Sequence, residues 1–383
     1  MTVENVKPRD VVVHGHCAPK YERLREAFLR NFHDHGEIGA SYAVMVGGEM
    51  VVDLWGGSVD KAGTIPWQRD TLTGIWSASK GIGGVCFAML VDRGLASYDD
   101  KVSQYWPEFA VEGKGDLTIG MLLSHQAGIT GFLTPATLED FYAGEAAAQR
   151  LAAQAPLWPP GTASGYGNVV GIMATALYAR IEGRSIRQFV ADELKGAFGL
   201  DLSIGLDPKD EPRTSDVFAA ATISPVNTIP AGNAAQRSMH NPPMRPDLPN
   251  TPEFHAADIV AANGYANGRA LATMYGLLLN PGPDGRRLVG PEALAKATTC
   301  QFDGIDVVRG VRRRWAAGFL LNDDHHPWGP NLEAFGHGGW GGSFGFADPV
   351  ANVAVGYAMN NMSDQMDNNP RRRGVIDTIY TEL

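Results

Sequence analysis

The chain has 383 residues, enough for a large core and for one to three domains. Apolar residues make up 44% of it and charged residues 19%, the balance of a well-packed globular protein. A formal net charge of -10 argues against nucleic acid or an anionic membrane as partner, and three scattered cysteines argue against a disulfide framework.

The first thirty or so residues lack an apolar export signal, and no membrane-length apolar run occurs, so the expectation is a soluble, cytoplasmic protein. Residues 21–32 place Leu24, Ala27, Phe28 and Phe32 on one side of a helix. Residues 42–46 and 50–54 read as a hairpin turning through Gly47-Gly48-Glu49. Residues 76–94 follow as a helix with one buried face: Ile82, Val85, Cys86, Met89 and Leu90 recur at helical spacing, and Gly94 supplies the stop. Residues 117–128 are a short helix running into a turn, and 169–181 a helix stopping at Gly183. Ser185-Ile186-Arg187-Gln188 reads as a capping box opening a further helix to Leu194. Residues 206–254, rich in Pro, Asn and Asp, are expected to run over the surface or around a pocket.

Beyond them come a helix over 269–279, strands over 316–321, 342–347 and 353–359, and a closing helix marked by Val375, Ile376, Ile379 and Tyr380. The runs Arg312-Arg313-Arg314 and Arg371-Arg372-Arg373 read as solvated faces. Strands at both ends with helices between predict a discontinuous α/β sheet domain, residues 1–70 and 268–383. It is interrupted by a helical domain, 71–267.

Chemistry concentrates at Ser77-Ala78-Ser79-Lys80. A serine at the first turn of a helix lies beside unpaired N–H groups and the positive end of the dipole, where a developing oxyanion is favoured. Lys80, three residues on, shares its face and can act as the base a serine nucleophile needs. Ser58-Val59-Asp60-Lys61 has the same pattern but sits among glycines, in a turn. Further on, Trp158-Pro159-Pro160-Gly161 forms a rigid approach to Tyr166 and Asn168, and a tyrosine held there can share a proton with Lys80. Gly336-His337-Gly338-Gly339-Trp340 is glycine-rich enough for close backbone approach to a ligand.

In order and spacing these motifs resemble the serine β-lactamase and penicillin-binding-protein superfamily, in particular the class C branch that includes family VIII carboxylesterases. The resemblance spans nearly the whole chain: Ser77-x-x-Lys80, Leu122-Leu123-Ser124-His125, Tyr166-x-Asn168, His337-Gly338-Gly339 and Phe346-Ala347-Asp348-Pro349. It implies a β-lactamase-like fold, α/β plus all-α, with an antiparallel sheet flanked by helices and an inserted helical domain. It also implies that Ser77 is acylated, that Lys80 and Tyr166 form the base system, and that Asn168 orients substrate. His337, Gly338, Gly339 and Trp340 would edge the site, with the N–H groups of Ser77 and Trp340 as oxyanion donors. Which of Lys80 and Tyr166 is the base stays open, as does the role of His337, either a site wall tuning the base or a structural strand residue.

The expected activity is hydrolysis of a small-molecule carboxylic ester through an acyl-serine, with no cofactor and no metal. The alternatives are β-lactamase, D-amino peptidase, acyltransferase to a small-molecule acceptor, or a non-catalytic protein that kept the fold. His337 and Gly338 stand where the superfamily's Lys-Thr-Gly would place a cation and a hydroxyl, which favours neutral acyl or alcohol groups. Gly341-x-Ser343-x-Gly345 imitates a nucleophile elbow but has no histidine after it, and Gly336-x-Gly338-x-x-Gly341 imitates a dinucleotide fingerprint but opens no helix. Tyr265-x-Asn267 repeats the Tyr-x-Asn pattern, with Asn267 placed as a helix cap. His14-Gly15-His16-Cys17 and Asp323-Asp324-His325-His326 read as exposed segments, and His125 as a turn-forming residue.

Overall fold

A computed structural model describes residues 11–220, 233–365 and 369–383. The middle of the expected surface excursion, 221–232, lies outside the described residues. In chain order the strands are β1 Val13–Cys17, β2 Gly39–Val46, β3 Glu49–Gly57, β4 Leu72–Gly74, β5 Leu202–Ile204, β6 Thr214–Ser215 and β7 Gly264–Ala266. They continue as β8 Phe302–Ile305, β9 Arg312–Trp315, β10 Leu320–Leu321, β11 Phe335–Gly338, β12 Phe344–Asp348 and β13 Val353–Met359. One antiparallel sheet runs β1-β3-β2-β13-β12-β11-β10-β9-β8, so the two ends of the chain meet where β2 pairs with β13.

Strand β13 explains how the sheet is covered. Val353, Val355 and Tyr357 alternate with Ala354, Gly356 and Ala358, giving one bulky and one flat face. On the bulky face Tyr357 stacks on Phe344 at 5.5 Å, and Phe28 of the helix Glu22–Asp34 packs against Tyr42 and Tyr357. On the flat face lies the helix Gly268–Leu279. A Cβ at Gly356 would come within 2.1 Å of the Gly268 carbonyl oxygen, so only glycine allows that approach.

Neither basic run is simply solvated. In β9 the strand period turns Arg313 inward to meet buried Asp323 at 3.1 Å, while Arg312 faces out. Arg371, in the closing helix Pro370–Glu382, meets Glu37 at 3.1 Å with both side chains buried. Expected strand 316–321 shrinks to β10, because Gly318, at φ 86°, lets Ala316 bond back to Phe319 in a tight turn after β9. Ser185 accepts from Gln188 N–H, but the Gln188 side chain reaches forward to Asp192, so the capping box is half formed. The region expected to be helical also holds a second small sheet, β5-β7-β4-β6.

The largest departure concerns the helix after Ser77. A tight turn, Trp76–Ala78, leads into the helix Ser79–Asp92, which is buried on every side from Ser79 to Leu90 rather than on one face. Gly81, Gly83 and Gly84 make this possible. Tyr275, Val260 and Phe319 press against those three positions, closing the sides that periodicity leaves polar.

Candidate active site

Strand β4 delivers the chain to Trp76, a non-glycine residue held at φ 48°. Ser79 fixes this strained turn: its Oγ donates to the Trp76 carbonyl and accepts from Gly264 N–H at 2.8 Å. Ser77 is thereby presented at the start of the central helix, with Lys80 one turn later on the same side. Lys80 Nζ donates to Ser77 Oγ at 2.9 Å, to the Tyr166 hydroxyl at 3.0 Å and to the Ala261 carbonyl at 2.9 Å, with Asn168 Oδ1 at 3.5 Å. The Tyr166 hydroxyl closes the triangle, 2.6 Å from Ser77 Oγ. Burial pushes the Lys80 pKa below its ordinary value, and the adjacent Tyr166 opposes this.

Tyr166 reaches this point on a heavily anchored loop. Its N–H donates to both oxygens of Asp306, at 3.0 and 3.2 Å, and its carbonyl accepts from Ser238 Oγ at 2.7 Å. Gly167 N–H donates to His125 Nδ1 at 3.4 Å, and the His125 and Tyr166 rings lie 4.9 Å apart. His125, at φ 64°, shapes its turn and also packs against the candidate base.

His337 lies on β11 as a wall of the site. Its ring stacks on Trp315 at 5.9 Å and faces Tyr166 at 6.3 Å. Nδ1 donates to the Gly338 carbonyl at 2.8 Å, which leaves Nε2 as an acceptor with no hydrogen-bond partner among the described residues. Burial, then the charge of Lys80, depress the His337 pKa to about 3, and burial holds that of His125 well below the ordinary histidine range, with Lys80 and His337 adding to it. Both rings are neutral in ordinary buffers.

Beyond His337 the chain turns against the nucleophile. A Cβ at Gly339 would stand 2.1 Å from the Ile75 carbonyl oxygen. Gly339 spends its N–H on the Ser343 carbonyl at 2.6 Å, so its part is close packing and not donation to a ligand. Trp340 caps the cleft edge-on to Trp76 at 5.1 Å. Ser77, Tyr166, Asn168, His337 and Trp340 all line the cleft.

The decoy residues lie elsewhere. Ser343 is buried, with its Oγ accepting from Met359 N–H, and Tyr265 donates to the Pro249 carbonyl. Asn267 caps the helix Gly268–Leu279, and Ser58 bonds within its own turn. Asp323 is the buried partner of Arg313. Asp306, Ser238, Ser79 and Trp315 also build the site, but they act on backbone groups or through ring packing and so leave no motif in the sequence.

A model of the family described as Beta-lactamase matches residues 24–378. The chain belongs to the beta-lactamase family. It is 31% identical over 361 residues to the Esterase/beta-lactamase LipL of Mycobacterium tuberculosis, covering 91% of this chain and 83% of that one. Among solved structures it is similar to a family VIII carboxylesterase, at 38% identity and a TM-score of 0.91 over 97% of this chain and 100% of the other. A penicillin-binding protein homolog from Caulobacter crescentus matches at 36% identity with the same TM-score and coverage. The β-lactamase-like fold and an enzyme of the esterase/β-lactamase serine hydrolase type follow from these matches. No helix among the described residues is long and apolar enough to cross a membrane.

Proposed function

We propose that this beta-lactamase family member hydrolyses carboxylic esters of small molecules through an acyl-serine intermediate. The closed triangle of Ser77, Lys80 and Tyr166, with sides of 2.9, 2.6 and 3.0 Å, carries the reading. Ser77 Oγ attacks the ester carbonyl carbon and gives its proton to the Lys80–Tyr166 pair. The N–H groups of Ser77 and Trp340 receive the oxyanion. As the tetrahedral intermediate collapses, the C–O bond to the alcohol breaks and the pair returns the proton to the leaving oxygen. Water, deprotonated by the same pair, then attacks the acyl carbon, the bond from that carbon to Ser77 Oγ breaks, and the pair returns the proton to Oγ. The two groups act as one coupled base.

The ester reading over the lactam one rests on position 337. A neutral imidazole replaces the cation that would hold the carboxylate of a β-lactam or a D-Ala-D-Ala peptide, a contact typically worth about 1.5–3 kcal/mol. Trp76 and Trp340 suit an apolar acyl or alcohol group instead. One observation keeps β-lactam hydrolysis as the second reading. Arg372 Nη1 lies 3.6 Å from where a Cβ of Gly338 would stand, which brings a guanidinium to the same strand edge.

A panel of p-nitrophenyl esters, p-nitrophenyl amides and nitrocefin separates the two. The expected result is kcat/KM for short-chain esters at least about a hundredfold above nitrocefin, roughly ten- to a hundredfold of it from the lost charge-assisted contact and the rest from the apolar lining. Comparable values would transfer the carboxylate site to Arg372 and favour the β-lactamase. Ser77→Ala should abolish ester turnover while Ser343→Ala keeps it; the reverse pattern would end the acyl-Ser77 reading.

A further inference from the structure

We infer that Asp306 is a positioning residue for catalysis, its buried carboxylate holding Tyr166 at bonding distance from Ser77 and Lys80. The inference rests on the reading of Tyr166 as part of the base pair. Asp306 is fully buried in the turn after β8. Its Oδ1 accepts from Val308 N–H at 3.0 Å and Arg309 N–H at 2.9 Å, the bonds that form this turn, and from Tyr166 N–H at 3.2 Å. Its Oδ2 is directed at Tyr166 N–H, at 3.0 Å. Val307 N–H adds a bond to the Ser164 carbonyl at 2.9 Å, so the turn and the Tyr166 loop are joined along two residues.

A serine or asparagine at position 306 could satisfy the two turn amides. Burying a carboxylate there is costly, and burial does push its pKa up. The second oxygen accounts for the choice of residue, because it adds the shorter of the two bonds to Tyr166 N–H, from a segment remote in sequence, and fixes the backbone from which the catalytic phenol projects. The hydroxyl lies at the far end of the ring, so a small tilt at the Tyr166 N–H is magnified where the 2.6 and 3.0 Å contacts are made. Misplacement of a reacting group by about 1 Å can cost on the order of a hundredfold in rate.

Asp306→Asn removes the 3.0 Å acceptor and leaves only the longer contact from the Oδ1 position. The amide oxygen can keep the turn, while the amide nitrogen then faces Tyr166 N–H, donor against donor. The experiment is a cycle on a p-nitrophenyl ester: wild type, Asp306→Asn, Tyr166→Phe and the double variant, with folding checked by circular dichroism. In the wild-type background Asp306→Asn should lower kcat roughly ten- to a hundredfold, with KM little changed. In the Tyr166→Phe background it should lower kcat no further, because the group it positions is gone. An equal loss in both backgrounds, or wild-type kcat in Asp306→Asn, would overturn the inference. Full activity of Tyr166→Phe would instead overturn the reading of Tyr166 beneath it. Should Asp306→Asn fail to fold, Asp306→Ser, which keeps one acceptor for the turn, takes its place in the same cycle.

Discussion

Burial disfavours the ammonium form of Lys80, and the Tyr166 hydroxyl beside it works the other way. An unfolded lysine titrates near 10.4, so between the lowered folded value and about 10.4 the unfolded chain holds the extra proton. Stability therefore rises with pH across that window, and the cost is largest below the lowered folded value. Lys80→Met should abolish turnover yet melt at or above the wild-type temperature at pH 7, with the advantage shrinking as pH approaches 10. A lower melting temperature at pH 7 would mean that the bond to the Ala261 carbonyl outweighs the desolvation. His337 and His125 are neutral already, so the rise of kcat/KM with pH should come from the Lys80–Tyr166 pair and show no inflection near 6.5. His337→Lys adds a like charge beside Lys80 and should move that limb to lower pH; an unmoved limb would show that position 337 does not act on the base. The triangle was legible in the sequence because the three-residue spacing of Ser77 and Lys80 and the Pro-Gly approach to Tyr166, ambiguous singly, agree in order and spacing with the family the chain resembles. Asp306 was not, since its partner is a backbone N–H 140 residues away and any residue carries one.

Glycines in a helix ordinarily cost about 1 kcal/mol against alanine, and the helix Ser79–Asp92 spends three within four residues. Their contacts say why. A Cβ at Gly81 would stand 2.1 Å from the Tyr275 hydroxyl and one at Gly84 would stand 2.7 Å from the Phe319 ring, whereas Gly374 in the closing helix has nothing within 4 Å. Gly84→Ala should therefore destabilise by about 1–3 kcal/mol, overpacking outweighing propensity. Gly374→Ala should stabilise by roughly 0.5–1 kcal/mol. Urea titration measures both, and a stabilised Gly84→Ala would mean that Phe319 swings aside freely. The same contacts limit what periodicity can report. Apolar spacing located the helix correctly, but glycines carry no hydrophobic signal, so its other faces read as exposed. Strands β8 and β9 were missed for a related reason: four residues each, one of them mostly arginine, give no apolar alternation to find. Longer β13, with seven buried residues in a row, was read with its ends in place.

The main sheet is closed by strands from the two ends of the chain, and the site hangs on that closure. Strand β13 pairs with β2 on one side and β12 on the other, and β12 carries β11 with His337. What locks the arrangement is a buried polar knot. Arg371 meets Glu37, Glu37 accepts from the Tyr357 hydroxyl of β13 at 2.7 Å, and Asn31 of the first helix donates to the same hydroxyl at 3.1 Å. Two buried charges are not stabilising in themselves, since desolvation offsets their attraction, but breaking one partner of such a pair costs about 3–5 kcal/mol. Arg371→Ala should then lower the unfolding free energy by that amount, read as a lower urea midpoint with an unchanged slope, while Asp116→Asn, at an exposed pair with Lys101, should leave the midpoint where it was. Arg371→Met combined with Glu37→Gln should recover much of the loss, because the apolar and amide groups leave no unpaired charge. Below the unfolding transition the single variant should keep wild-type kcat, the knot lying on the far face of the sheet from the helix Gly268–Leu279. A fall in kcat at full folding would show that the strain reaches β11, and that the closure sets the geometry of His337 as well as the stability of the molecule.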